Sequence, residues 1–415
     1  MRSNHQIASY LFSSALADTI SPIFSIFIPL FAVELGASAL ELGLVGGASY
    51  AVYSFMPFIM GRFSDRSGSR KFFILSSFLM LCVVSVLYSA STGPVTIIVV
   101  RVFEGIGWAM LWPAMEAAIT EETTRDSSSA LAMFNYVWSG GAALGPAIGT
   151  LLVTTYSYRS AFLGCGLLFA IPALVNGAAF LKGKRVPSPS SNFNGSRSRQ
   201  EGYPTLLSSA RAIFVSRDGR RNFRVWTSFT TMSLSAMASG ILFTFFGPYA
   251  TSLGVTVPIV GAVTTSFGIV RFAVYIALAR GSLRQRLLVV ENRNRNLVVL
   301  ASLVALPNLL LLVRDPTAVF YFLSFTLFAA GYSLVYTLSQ TTLIAETTLE
   351  QRGAGAGLFE CSIGLGGMVG PIIAGSVSSS SLSLAFGVPV AGLAVTLGLL
   401  SVLSLVSRGP RARAT

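Results

Sequence analysis

Apolar residues in this chain neither alternate with polar ones nor form narrow stripes; they run on for about a whole bilayer's width and stop at short polar breaks. Such runs lie near residues 9–33, 41–60, 72–91, 94–119, 129–153, 160–181, 223–250, 257–279, 296–313, 317–342, 353–378 and 382–406. A helix crosses ~30 Å of hydrocarbon with about 20 residues, so the pattern predicts an all-α membrane protein of twelve transmembrane helices. Several runs contain Gly and Pro, which bilayer helices tolerate because neighbouring helices re-satisfy freed backbone groups. Segments three and four are separated by little more than Ser91-Thr92-Gly93, which requires a tight turn.

One break differs from the rest. Residues 182–222 hold Val186-Pro187-Ser188-Pro189-Ser190-Ser191 and continue Ser- and Arg-rich to Arg199, the composition of a flexible linker. This stretch divides the segments six and six, predicting an N-terminal half at 1–181, a cytoplasmic linker at 182–222 and a C-terminal half at 223–415. Residues 205–215 regain some apolar character and suit a short interfacial helix. The two halves echo each other in register. Ile119-Thr120-Glu121, Phe134 and Gly145-Pro146 reappear 225 residues later as Ile344-Ala345-Glu346, Phe359 and Gly370-Pro371. A duplicated six-helix unit, giving two pseudo-symmetric bundles, is the expected architecture.

Composition agrees with the pattern. Of 415 residues, 53% are apolar and 11% charged, and the mean hydropathy is +0.70. A soluble domain carries about 25% charged residues to wet its surface. The net charge of +13 raises nucleic acid as a partner, but the placement of the basic residues answers that. With the N-terminus inside, the inner side receives Arg2, the four of the second–third loop, Arg125 and ten between Lys182 and Arg224. Five more between Arg280 and Arg295, then Arg352, Arg408, Arg411 and Arg413, fall on the same side. Only Arg101, Arg159, Arg271 and Arg314 lie elsewhere, which is the positive-inside bias. The charge therefore orients a multi-pass protein of the cell membrane with both termini cytoplasmic, and its macromolecular surroundings are lipid rather than nucleic acid. Three cysteines in apolar runs and the single His5 leave no material for a disulfide framework or a metal site.

The sharpest motif joins segments two and three: Gly61-Arg62-Phe63-Ser64-Asp65-Arg66-Ser67-Gly68-Ser69-Arg70-Lys71. A helix ending at Gly61 and another starting near Lys71 predict a sharp turn, with Gly68 free to take positive φ. Arg101-x-x-x-Gly105-x-Gly107 follows in segment four, and Gly141-x-x-x-Gly145-Pro146-x-x-Gly149 in segment five. In these motifs and in its six-plus-six plan the chain resembles the major facilitator superfamily, and the segment-five pattern resembles that of its drug/proton antiporters. The resemblance implies secondary active transport by alternating access, without a cofactor. It also implies that Gly61, Asp65, Arg66, Gly68, Arg70 and Lys71 form a conformational-switch loop whose acid engages the start of helix 11. Gly353, Gly355 and Gly357 open that helix beside free N–H groups, where a carboxylate is favoured by ~0.3–1 kcal/mol. Arg66 or Arg70 is placed to pair with Glu121 or Glu122. Asp65→Asn is expected to abolish transport without abolishing insertion, measured as flux in vesicles. The Gly145-Pro146 and Gly370-Pro371 pairs are helix-bend motifs in which small residues permit close packing and proline bends the chain.

Charges within the bilayer are costly and usually sit in a pathway. Asp18 and Glu360 have no basic residue within a turn of their own helices, and a desolvated carboxyl group suits loading and releasing a proton. Arg101 and Glu104, three apart, reach each other along one helix face, as a self-neutralising pair or as part of the pathway. Arg271 is a counter-ion for one of the acids or a ligand for an anionic substrate. Glu116 lies near the inner end of its helix and reads as solvated. Trp108 and Trp112 read as packing residues.

Other classes find no support. There is no Gly-x-x-x-x-Gly-Lys-Ser/Thr loop for ATP hydrolysis and no His-Glu-x-x-His, and Lys71, Lys182 and Lys184 lie in loops rather than beside a buried serine. No enzyme is expected, and no repeated element suggests a channel filter. The expected function is proton-coupled export of a small, rather apolar compound by a monomer. The alternative is uptake of a metabolite such as a sugar or organic anion, with Arg271 or Arg101 as its ligand.

Overall fold

A computed structural model describes residues 2–67, 69–122, 127–182, 214, 222–280, 293–313, 317–345 and 352–407. The first half contains α1 (Arg2–Glu34), α2 (Ala39–Tyr53), α3 (Met56–Ser67), α4 (Arg70–Ala90), α5 (Pro94–Glu122), α6 (Ser127–Thr155) and α7 (Tyr158–Lys182). The second contains α8 (Phe223–Ser252), α9 (Val257–Ala279), α10 (Arg293–Ala305), α11 (Ala318–Ala345), α12 (Arg352–Val377) and α13 (Val388–Ser407). Among the described residues every regular element is helical.

Among the described residues eleven helices are long and apolar enough to cross a membrane, and the ninth expected crossing, at 296–313, is shorter. There α10 gives way to a 3-10 turn, Leu306–Leu311, because Pro307 brings no N–H to continue the ladder. The side chain of Asn308 donates instead to the carbonyls of Val304 and Ala305, at 3.1 and 3.2 Å. Ser324 on α11 donates to the Pro307 carbonyl at 2.9 Å. An irregular backbone is thus satisfied by side chains, as lipid requires.

The second crossing is made of α2 and α3, which break at Ser54–Phe55. This corrects the expected turn at 61–71. The helix does not end at Gly61 but runs to Ser67, and α4 begins at Arg70. No proline falls between Gly61 and Ser67 to interrupt the backbone ladder. Gly68 and the side chains of Asp65 and Arg66 lie outside the described residues, as do most of the 182–222 linker residues. Phe214, within the expected interfacial helix, packs on Trp226 and Phe229 with centroids 4.6 and 5.6 Å apart.

Pseudo-symmetry reaches the backbone. α1 ends with Gly36 at φ 87 and α8 with Gly254 at φ 81. At each end the glycine N–H bonds three residues back and the next N–H bonds five residues back, a Schellman cap. α6 lies against α1, where a Cβ at Gly141 or Gly145 would overlap the carbonyls of Ala15 or Thr19. α12 lies against α8 in the same way, with Gly366 over the Ser233 carbonyl and Gly370 over Met237. The other faces of these two helices join the halves. Pro371 of α12 sits on Gly43 and Gly46 of α2, while Gly268 of α9 sits on Ala142 and Ala143 of α6. Rings of Tyr136 and Phe272 stack across the second seam at 5.3 Å. Pro146 and Pro371 therefore stand where each helix serves its own half on one face and the opposite half on the other.

Candidate functional site

Where the halves meet lies a cavity of about 160 Å³. All five intramembrane residues singled out from the sequence, Asp18, Arg101, Glu104, Arg271 and Glu360, line it. A second cavity of about 110 Å³ shares Asp18, Tyr50 and Arg271 with the first and adds Pro146 and Tyr332.

The charges fall into separate groups. Arg101 and Glu104 pair at 2.7 Å, and the Arg101 Nε donates to the Val45 carbonyl at 2.9 Å. Glu104 also accepts from the Trp108 indole at 2.9 Å and from the Tyr88 hydroxyl. Every one of these groups belongs to the first half. A buried pair repays its desolvation only when such extra hydrogen bonds complete it, and here they do. Of the two readings open for this pair, the geometry is that of the self-neutralising one.

Arg271 and Asp18 are less constrained. The Arg271 guanidinium lies 4.0 Å from the centroid of Trp138, with Tyr332 at 5.5 Å and Phe267 at 5.8 Å. Aromatic faces of this kind stabilise a desolvated cation by about 2 kcal/mol. Trp138 is on α6 and Arg271 on α9, so the contact spans the halves. Among the described residues the Arg271 Nε has no hydrogen-bond partner. Asp18, within electrostatic reach of Arg271, makes no hydrogen bond among them.

Two further acids are held across the seam. Glu360 on α12 accepts from the Tyr53 hydroxyl of α2 at 2.7 Å. Glu116 on α5 accepts from the Gln340 amide of α11 at 3.1 Å. Asn135 on α6 donates to Gln340 at 2.9 Å and accepts from Trp138 at 3.0 Å. The reading of Glu116 as solvated is corrected: its side chain faces the cavity and the residue is 3% exposed. The α5 helix is contacted there by α12 and reached by Gln340 of α11, both of the opposite half, which no local pattern on α5 discloses. Trp108 and Trp112 stack face to face at 5.8 Å and line the cavity, so packing is only part of their surroundings.

At the motif between the second and third crossings, Arg70 pairs with Glu121 at 2.7 Å and donates to the Ser64 hydroxyl at 2.9 Å. Lys71 follows at the start of α4, and Gly61 is buried. Gly357 of α12 leaves room for the Phe58 backbone of α3, so the helix bearing Asp65 packs on the early turns of α12, the eleventh crossing. Tyr53, Asn135, Trp138, Tyr336 and Gln340 were not picked out from the sequence. A signal existed for some of them: Tyr332, Tyr336 and Gln340 are spaced by four on a helix without charged residues, a polar-tipped stripe along one face.

Membrane-crossing helices in two like halves, closing on a charged cavity at the seam, define a membrane transporter. The chain belongs to the Major Facilitator Superfamily, whose family model matches residues 8–371. An uncharacterised MFS-type transporter of Methanocaldococcus jannaschii is 25% identical over 356 residues, 85% of each chain. A methyl viologen resistance protein of Salmonella typhimurium is 34% identical over 140 residues, 32% of this chain and 28% of that one. A multi-drug resistance efflux pump of Streptococcus pneumoniae is 23% identical over 165 residues, 39% of this chain and 40% of its own. Among solved structures, a bacterial homologue of the human lysosomal transporter Spinster superposes with TM-score 0.72 at 14% identity over 99% of both chains. The nucleoside transporter NupG gives 0.68 at 16% identity, over 98% of this chain and 99% of that one. These last two likenesses concern the fold alone.

Proposed function

We propose that this transporter works by alternating access as a proton-coupled exporter of a small, rather apolar compound, with its termini in the cytoplasm. The observation that carries the reading is a seam cavity in which Asp18 and Glu360 stand without an ion pair among the described residues. Such acids are free to exchange a proton as the cavity changes sides. Stacked Trp108 and Trp112, with Phe134 edge-on to Trp112, supply apolar contact for the cargo. The partial matches to drug-resistance relatives support export. In this reading the halves at 1–181 and 223–415 rock about the small-residue seams, the 182–222 linker joins them on the cytoplasmic side, and the 61–71 motif latches that side with Asp65 against the start of helix 11. The protein acts as a monomer in the cell membrane.

The test is a flux screen in proteoliposomes under an imposed pH gradient, with Asp18→Asn and Glu360→Gln as controls. Gradient-driven export lost in both variants is expected. Full transport in both would overturn the assignment of these acids. A second reading, uptake of an organic anion, is favoured by one feature, the Arg271 guanidinium with its unpartnered Nε at the cavity wall. Substrate accumulating inside, lost in Arg271→Gln, would select it.

A further inference from the structure

Glu116 and Glu360 stand on opposite halves and face one cavity. Each accepts its hydrogen bond from the half it does not belong to, Glu116 from Gln340 and Glu360 from Tyr53. The second oxygen of Glu116 is buried and, among the described residues, has no hydrogen-bond partner. The two acids lie within electrostatic reach of each other, and α5 is in contact with α12.

Among the described residues neither acid has an ion-pair partner. Arg101 is taken by Glu104, and Arg271 lies over Trp138 beside Asp18. From α2 comes Tyr53, from α6 Asn135 and Trp138, and from α11 Tyr336 and Gln340, all without charge at neutral pH. α8 carries no charged residue beyond Arg224 at its start, and Asp18 on α1 is a further acid within reach of Glu360.

Two carboxylates facing each other in a poorly solvated space repel, and this repulsion acts directly between the halves. One carboxylate beside one carboxylic acid does not repel, and the ionised member still accepts a charge-assisted bond from its donor. We propose that Glu116 is a second proton-coupling residue, and that with Glu360 it forms an inter-half acid pair which closes around a single bound proton and separates when that proton leaves. This deepens the proton-coupled reading above by naming where the proton sits and what its departure does. Tyr53 and Gln340 are positioning residues that aim the two carboxyl groups at the shared space. The step is a simple binding: one carboxylate takes one proton from water on closing and returns it on opening. The pair titrates as a unit, so neither acid alone carries the response.

The experiment uses the full chain in lipid nanodiscs, without substrate or gradient. Spin labels at Thr120 on α5 and Thr341 on α11 report the distance between the halves as pH is varied. In the unsubstituted pair the distance is expected to be short at acid pH and to lengthen in one step as pH rises. Glu116→Gln, Glu360→Gln and the double variant are each expected to remain short throughout, with no added effect in the double, because repulsion needs both charges. Gln retains the hydrogen-bonding shape, and thermal unfolding confirms that each variant is folded. Tyr53→Phe and Gln340→Leu should keep the step with its midpoint displaced, which a merely structural role would not produce. A distance indifferent to pH, or a full step surviving in either single Glu variant, would overturn the proposal. Should no solute flux follow a pH gradient while the step is present and both Gln variants lose it, the coupling reading falls and the acid pair stands. Gradient-driven flux alongside a step that survives Glu116→Gln does the reverse.

Discussion

Glu104 and Glu116 sit on the same helix, about three turns apart, and both line the same cavity. Their surroundings differ in one respect. Everything that holds Glu104, namely Arg101, Tyr88 and Trp108, comes from the first half. Glu116 is held by Gln340 of the second half and leaves one oxygen unpartnered among the described residues. A charge whose partners all move with it keeps its environment when the halves shift. A charge held across the seam loses its partner at that moment, and its proton affinity changes with it. The same contrast separates the Arg101–Glu104 pair from Glu360, and under the proposed function the first serves stability and the second coupling.

The largest expected effect is on the closed group. Glu104→Ala would leave the Arg101 guanidinium buried without its counter-ion, a loss of about 3–5 kcal/mol. Thermal unfolding in detergent should show the variant folded poorly or not at all, and a near-normal melting curve would break the contrast. Next come the within-half seams. Gly141→Ala on α6 and its counterpart Gly366→Ala on α12 each push a Cβ into a carbonyl of the neighbouring helix, for about 1–3 kcal/mol. Similar losses in both would extend the symmetry to energetics, and a large difference would confine it to shape.

Glu360→Gln belongs to the other group. Its unfolding should be nearly unchanged, because Gln still accepts from Tyr53, while gradient-driven flux falls by about tenfold or more, equivalent to ~1.4 kcal/mol. The opposite outcome, lowered stability with normal flux, would move Glu360 into the structural class. The smallest effect is expected at Arg70, whose pair with Glu121 leaves the glutamate 55% exposed. Arg70→Ala should cost at most about 1 kcal/mol in unfolding, less at high salt. Any larger change in flux would then reflect its place in the 61–71 motif rather than its salt bridge.

Much of this was legible in the chain itself, because a membrane imposes strict local rules. Run length and backbone satisfaction dictate helices of a given span, so the crossings and the internal repeat could be read without a fold. Buried charges are rare enough in apolar runs that Asp18, Arg101, Glu104, Arg271 and Glu360 stood out, and all five meet in one cavity. The short ninth crossing was less visible, because Pro307 ends α10 through a missing donor while the apolar run continues past it. The helical continuation through Ser67 was also missed, since polar residues outside the apolar layer carry no periodic mark.

Which charges are tied down, and by which half, only the tertiary structure decided. Sequence spacing pairs Arg101 with Glu104 because both lie on one helix, but it cannot bring Gln340 to Glu116 or Tyr53 to Glu360, more than two hundred residues away. Helix periodicity reports on neighbours within a few residues, whereas the partner across a seam depends on how the two halves pack against each other. The chain by itself therefore determined what crosses the membrane and which side chains are out of place there. Docking of the halves determined which of those side chains are held by their own half and which by the other.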